Sequence, residues 1–280
     1  MTGKLIICPT PIGNLGDMPP RAVEALRSAD AVLAEDTRVT GKLLAALGVE
    51  KRLERLDENV MAQRADGVLQ RVRAGETIAY CTDAGMPGVS DPGLRLVRAA
   101  RETGVEVEVL PGPTAVATAY VASGTEAAAF YFGGFFPRKD GARREMLESL
   151  KTLDAALVFY ESPNRLVGAL EAVADAFPLR EVAVCRELTK LHEEVVRGVT
   201  GVVRDQFASR ETIKGEIVLV IDPPSAAERE EIAHDAAQDA ETRAAELASQ
   251  GIRPKAIAKE LASAFGISRN EAYDIALKAR

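Results

Sequence analysis

The stretch CTDAGMPGVSDPG, residues 81–93, gathers three glycines, two prolines and two aspartates between an apolar run and a helical pattern. These residue types shape a backbone around a ligand: Pro87 and Pro92 fix φ and remove two amide donors, while Gly85, Gly88 and Gly93 admit positive φ and close approach. Upstream, ETIAYC reads as a buried strand; downstream, DPGLRLVRAARETG has helical apolar spacing, with Asp91 as N-cap and Pro92 in the first helical position. The loop therefore falls where a strand ends and a helix begins, which is where open α/β sheets bind ligands. Three further stretches have the same character: CPTPIGNLGD after the first strand, LPGPTAVATAY, and YESPNRL. In the last, Ser162 can cap a helix begun by Pro163, but Glu161, Asn164 and Arg165 exceed what a helix start needs. A single Pro/Gly loop is more often a connection than a site; four in one chain shift the balance toward a ligand cleft.

Several chemistries lose weight. No G-x-G-x-x-G follows the first strand, and VTGKLL lacks the upstream glycine of a P-loop. Cys8, Cys81 and Cys185 are widely spaced and form no CxxC pair, and the two histidines, His192 and His234, offer little for a metal centre. No metal is expected. A net charge of -7 argues against indiscriminate coating of nucleic acid while leaving room for a local basic surface. The apolar LIIC near the start is too short for a signal peptide, and no run has the length of a membrane span, so a cytoplasmic protein is expected.

With 280 residues, 47% of them hydrophobic, the chain is long enough for two cores and an appendage. Strand-like KLIIC, AVLAE, ETIAYC and EVEVL alternate with helical patterns at 19–28, 40–47, 61–74 and 92–103, the rhythm of βαβ crossovers and a mostly parallel sheet. AFYFGGF, AALVFYE, EVAVCRE, EEVVRG and EIVLVID, with helices near 140–151 and 163–176, form a second series whose close late strands predict a mixed sheet. The hinge falls at PGPTA, 111–115. After DPPS, 222–225, strands disappear. The expected domains are an N-terminal α/β domain over 1–112, a second α/β domain over 113–224 and a helical extension over 225–280. In that extension 226–248 carries seven acids against Arg229 and Arg243, whereas 250–280 carries six basic residues, Arg280 among them, against three acids. Two short amphipathic helices flank FGIS, with Gly266 at the turn and Ser268 as N-cap, a spacing that fits either a helix-turn-helix or a plain docked hairpin.

PTPIGNLGD, AEDTR, DAGMPGVSDPG, PGPTA, GFFPRK, FYESPNR and CRELTK together resemble the bacterial ribosomal small subunit methyltransferase I family, cytidine-2'-O-methyltransferases of the tetrapyrrole methylase superfamily. The resemblance spans about residues 4–222. It implies a two-domain α/β fold with S-adenosylmethionine between the domains, a homodimer, and a cytidine ribose in 16S ribosomal RNA of the small subunit as acceptor. It further implies a cofactor pocket lined by Asp83, Gly85, Met86, Thr114, Ala115, Phe159, Tyr160 and Gly215.

Methyl transfer from an activated sulfonium needs in-line positioning and exclusion of water. A ribose hydroxyl also needs a proton acceptor. Glu187, Lys190 and His192 at second-domain strand ends are candidates, as are Glu35 and Asp36 of AEDTR; the sequence does not choose among them, and Glu35 to Arg38 reads equally as a structural charge network. For RNA, Arg138, Lys139, Arg143 and Arg144 follow Phe135 and Phe136, combining phosphate contact with base stacking, and Arg165 adds a cation near the second domain. A solvated helix start explains the same charges. Two other readings stay open: methylation of a tetrapyrrole or other small molecule, and an RNA-binding assembly protein without catalysis.

Overall fold

In the computed structural model, residues 3–265 and 267–279 are described; Gly266, expected at a turn, and Arg280 lie outside them. The chain divides into two compact units. One runs to Glu148 and resumes over Ala155–Asp222; the other joins Ser149–Asp154 to the residues from Pro223 onward.

The first unit holds two five-stranded sheets. Strands β1 (Leu5–Ile7), β2 (Ala31–Ala34), β3 (Leu53–Arg55), β4 (Ile78–Cys81) and β5 (Val107–Val109) lie in the order β3-β2-β4-β1-β5. Every pairing is parallel. Because β2 and β4 are buried on both faces, they read as unbroken apolar runs. On one face Leu33 and Tyr80 pack under α3 (Glu58–Arg73) and α4 (Gly93–Glu102); on the other Val32, Ala79 and Cys81 meet α1 (Pro20–Ser28) and α2 (Thr37–Ala46). This is a doubly wound layer, which puts all its strand C-termini at one edge.

After α5 (Ala115–Ala122), the second sheet comprises β6 (Phe130–Phe135), β7 (Ala156–Glu161), β8 (Glu181–Arg186), β9 (Glu194–Val199) and β10 (Ile217–Ile221), ordered β6-β7-β10-β8-β9. Only β6 and β7 run parallel; the other pairings are antiparallel, as a mixed sheet requires. Ala156, Val158, Ala183, Cys185, Val218 and Val220 face α5, whereas Leu157, Phe159, Val184 and Leu219 alternate onto the opposite face and are fully buried. Helices α6 (Asp140–Ser149), α7 (Leu166–Ala176) and α8 (Thr200–Ala208) complete the series.

In the second unit α9 (Ala226–Ser249), α10 (Pro254–Phe265) and α11 (Arg269–Lys278) bury a stripe of Ala244, Leu247, Ile257, Leu261 and Ile275. Ser268 caps α11 by accepting from the Glu271 amide at 3.2 Å, as its sequence position suggests. No helix among the described residues is long and apolar enough to cross a membrane.

Two helix starts differ from expectation. Asp91 is not the N-cap of α4; Pro92 holds that place, and the Asp91 carboxylate accepts from the amides of Gly88 at 2.6 Å and Gly93 at 2.8 Å, tying the loop to the helix. Ser162 makes no side-chain cap, because its hydroxyl accepts from Arg165 Nε at 3.0 Å and a 3-10 turn, 163–165, precedes α7.

Candidate active site

The strand ends of the first sheet are laced into one platform. Thr10, beyond β1, exchanges two main-chain hydrogen bonds with Gly85, at 2.9 and 3.1 Å, and its hydroxyl donates to the Thr82 carbonyl at 3.2 Å. Gly85 has φ +79°, and a Cβ there would stand 3.2 Å from Ile12 Cγ2, so both conformation and contact call for glycine. The Asp36 amide, beyond β2, donates to Asp83 Oδ1 at 3.0 Å. Asp36 itself is held by Arg38, whose guanidinium Nη2 lies 2.6 Å from its carboxylate and keeps its pKa low.

Facing this platform across a cavity of about 460 Å³ are the start of α5, the ends of β6 and β7, and the start of β10. The volume lies within the roughly 300–1,000 Å³ common for small-molecule sites. Thr82, Asp83, Gly85, Met86 and Ser90 line it from the first sheet, and Thr114, Phe135, Tyr160, Leu188 and Gly215 from the second. Its ionisable residues of fixed sign are Glu35, Asp83, Asp91, Glu161 and Glu216; no Lys, Arg or His among the described residues lines it. Burial, reinforced by Asp83, raises the Glu35 pKa, although the Asp83 amide donates to that carboxylate. Asp83 is raised as well, by burial, although the Asp36 amide donates to its carboxylate. Burial pushes the Tyr160 phenol up to about 12, so it stays a neutral hydroxyl.

Of the cofactor residues named from the sequence, Asp83, Gly85, Met86, Thr114, Ala115, Tyr160 and Gly215 converge on this cavity. Phe159 does not. It is 0% exposed, and its ring lies 4.9 Å from that of Phe136 on the far face of the sheet, because adjacent strand residues alternate sides. Among the proton-acceptor candidates, Glu35 lines the cavity. Glu187 and Lys190 are outside its lining and neutralise each other: Lys190 Nζ lies 2.8 Å from Glu187 and 2.9 Å from Glu216. The Lys190 bond holds the Glu187 pKa down; burial works to lower that of Lys190, and its two carboxylate partners outweigh it. His192 is exposed in the turn before β9.

The basic segment splits in two. Arg138, Lys139 and Arg144 are exposed, whereas Arg143 is buried and donates to the carbonyls of Pro137 at 2.7 Å and Gly168 at 3.2 Å. Arg165 is half-buried and its Nη2 lies 2.5 Å from the fully buried carboxylate of Glu161. The cavity also holds residues that the motifs alone do not single out. Thr82, 2% exposed, has a buried hydroxyl with no hydrogen-bond partner among the described residues; Ser90 sits at φ +67°. Their signal is position, one residue before Asp83 and one before Asp91.

The chain matches the family described as Tetrapyrrole (Corrin/Porphyrin) Methylases over residues 4–203. It is 42% identical over 285 residues to ribosomal RNA small subunit methyltransferase I of Mycobacterium tuberculosis, covering 100% of this chain and 96% of that relative. Its identity to the protein of that name from Escherichia coli O157:H7 is 39% over 278 residues, covering 99% and 95%. The fold resembles the crystal structure of diphthine synthase with a TM-score of 0.62 at 14% identity, covering 82% of this chain and 94% of that one. A uroporphyrin-III-C-methyltransferase from Thermus thermophilus gives 0.55 at 23%, covering 79% and 94%. By full-length identity and by fold, the chain belongs to the tetrapyrrole methylase family and, within it, to the ribosomal RNA small subunit methyltransferase I family.

Proposed function

We propose that this chain methylates the 2'-hydroxyl of a cytidine ribose in 16S ribosomal RNA of the small subunit, using S-adenosylmethionine. The observation that carries the reading is the cavity's charge: with Glu161 and Glu216 paired to Arg165 and Lys190, the carboxylates of Glu35, Asp83 and Asp91 still line it and, among the described residues, no cation does. Such a field favours a ligand bearing positive charge and disfavours phosphate. The cofactor fits on that ground, and on one other: the Thr82 hydroxyl, buried in the lining and without a hydrogen-bond partner among the described residues, can pair with a polar ligand.

When bound, the cofactor supplies a methyl group already activated by a positively charged sulfur. Asp83, Gly85, Met86, Thr114, Ala115, Tyr160 and Gly215 would hold it, and the apolar walls at Ile12, Val89 and Leu188 exclude water. The reaction leaves this chain to orient the hydroxyl and take its proton. Glu35 suits the second task, since it lines the cavity and its raised pKa makes it a stronger base than an ordinary carboxylate. Glu187 and Lys190 are occupied with each other.

Tritium transfer from the labelled cofactor to protein-free small-subunit RNA and to assembled small subunits, followed by nucleoside analysis, tests the reading. Label in 2'-O-methylcytidine supports it. Label only in a tetrapyrrole or small-molecule acceptor, or cofactor binding by calorimetry with no transfer to any of them, overturns it. The family resemblance also supports a cytoplasmic homodimer, which sedimentation of the full chain would test.

A further inference from the structure

The last residues of β6 do not alternate as a strand should. Phe132 pairs with Val158 and Phe135 with Tyr160, so three steps on β6 match two on β7. This is a bulge, and it inverts which side of the sheet each later side chain faces. Without it residue 134 would share the cavity face with Tyr160, and Phe135 would enter the core. With it, Phe135 lines the cavity, while Phe136 turns inward, 1% exposed, with its ring 4.9 Å from Phe159.

The two residues that make the bulge permit nothing larger. A Cβ on Gly133 would stand 2.1 Å from Phe159 Cε1, and Gly134 has φ +71°. The sequence GGFF therefore delivers a phenyl ring to the rim of the cavity. There it meets Tyr160 edge-on, with centroids 5.4 Å apart and planes at 67°, yet remains 60% exposed. Immediately after it Arg138, Lys139 and Arg144 project into solvent. The interior beneath is lined by carboxylates and, among the described residues, by no cation, so it disfavours phosphate, whereas the exposed cations of this rim suit it.

We propose that Phe135 is a stacking platform that seats a nucleobase of the acceptor RNA at the mouth of the cavity, with Arg138, Lys139 and Arg144 engaging the flanking phosphates. Aromatic rings beside basic residues hold unstacked bases in this way, because every base offers a π face. Phe135 is thus a positioning residue for the acceptor. The inference rests on the RNA reading above.

The chain contains no tryptophan, so Phe135→Trp creates a single fluorescent reporter at the proposed contact. Adding protein-free small-subunit ribosomal RNA should quench it, and adding S-adenosylmethionine alone should not. In methyl-transfer assays on whichever form of RNA the wild type accepts, Phe135→Leu should raise KM for RNA about ten-fold, leave kcat and cofactor affinity unchanged, and be rescued by tryptophan. Quenching by the cofactor alone, or a fall in cofactor affinity in the leucine variant, would assign the ring to the donor and overturn the proposal. So would an unquenched tryptophan while RNA affinity persists, or an unchanged KM. A wild-type chain that neither binds nor methylates RNA would instead remove the function proposed above. Should the leucine variant fail to fold, the tryptophan readout still decides.

Discussion

The carboxylate of Asp83 accepts a hydrogen bond from the main-chain amide of Asp36 at 3.0 Å, joining the end of β4 to the end of β2. Asp83 thereby serves two physical ends: an acceptor that braces two loops, and a negative charge in the cavity lining. Substitution separates them. Asp83→Asn keeps an acceptor oxygen and removes the charge, so it should leave the melting temperature near wild type while weakening S-adenosylmethionine binding. Asp83→Ala removes both, and should also cost about 0.5–1.5 kcal/mol of stability. Calorimetry and denaturant titration of the two variants check this; equal cofactor affinity in wild type and asparagine variant would show that the charge does not matter.

Glu35 gives the reaction a pH signature. A proton acceptor works in its ionised form, so the rate should fall as pH drops through its pKa, which burial and Asp83 raise above the ordinary carboxylate value. The acid limb therefore lies higher than for a solvated glutamate, and Asp83→Asn should move it down by removing one neighbouring charge. Glu35→Gln should abolish the limb and slow single-turnover transfer by about 10²–10⁴-fold. The stability effect has the opposite sense. The folded state holds this proton more tightly than the unfolded chain, so stability declines as pH rises from the unfolded pKa through the folded one, and the glutamine variant lacks that decline. An unaltered acid limb in the glutamine variant would rule Glu35 out as acceptor.

Glu187 and Lys190 lead to the contrary expectation. Their charges are spent on one another, on Glu216 and on the Glu216 amide, 2.9 Å from Glu187 Oε1, and neither lines the cavity. Lys190→Met should lower stability by about 1 kcal/mol or less, since the pairs are partly solvated, and leave kcat and both KM values at wild-type level. A collapse of kcat with an intact melting curve would return Lys190 to the reaction.

Much of this arrangement is legible in the residues. Strands such as IAYC and IVLVI are buried on both faces and therefore unbroken apolar runs, and each of the four Pro/Gly loops singled out in the sequence contributes to one cavity, through Ile12, Asp83, Thr114 and Ser162 among others. What stays hidden depends on facing or on neighbours far along the chain. β3 is three residues at a sheet edge, LER, with no fully buried position to give it a period. The second half of LPGPTAVATAY is a helix, α5, whose apolar residues surround it and leave no amphipathic stripe. Phe159 and Tyr160 look interchangeable as letters, yet only one can face the cavity. Adjacent arginines hide a similar divide, since Arg143 is buried and Arg144 exposed.

That divide makes a final prediction about which positive charges serve RNA. Arg143 donates to two carbonyls, lies 3.4 Å from Asp140, and sets its guanidinium carbon 5.8 Å from the centre of the Phe136 ring. Removing it empties a buried position and breaks two charge-assisted hydrogen bonds to carbonyls, each worth about 1.5–3 kcal/mol. Arg143→Ala should therefore lower the melting temperature sharply and affect RNA binding only through loss of folded protein. Arg138, Lys139 and Arg144 are exposed. Alanine at any one of them should leave stability within about 0.5 kcal/mol, weaken binding to cognate and unrelated RNA alike, and reduce the slope of log affinity against log salt by about one for each phosphate no longer neutralised. Filter binding across a salt series, run beside thermal denaturation, separates the two groups. A triple alanine variant with the wild-type salt slope would mean that the phosphates are held elsewhere on the surface, and that the basic segment is only a solvated helix start.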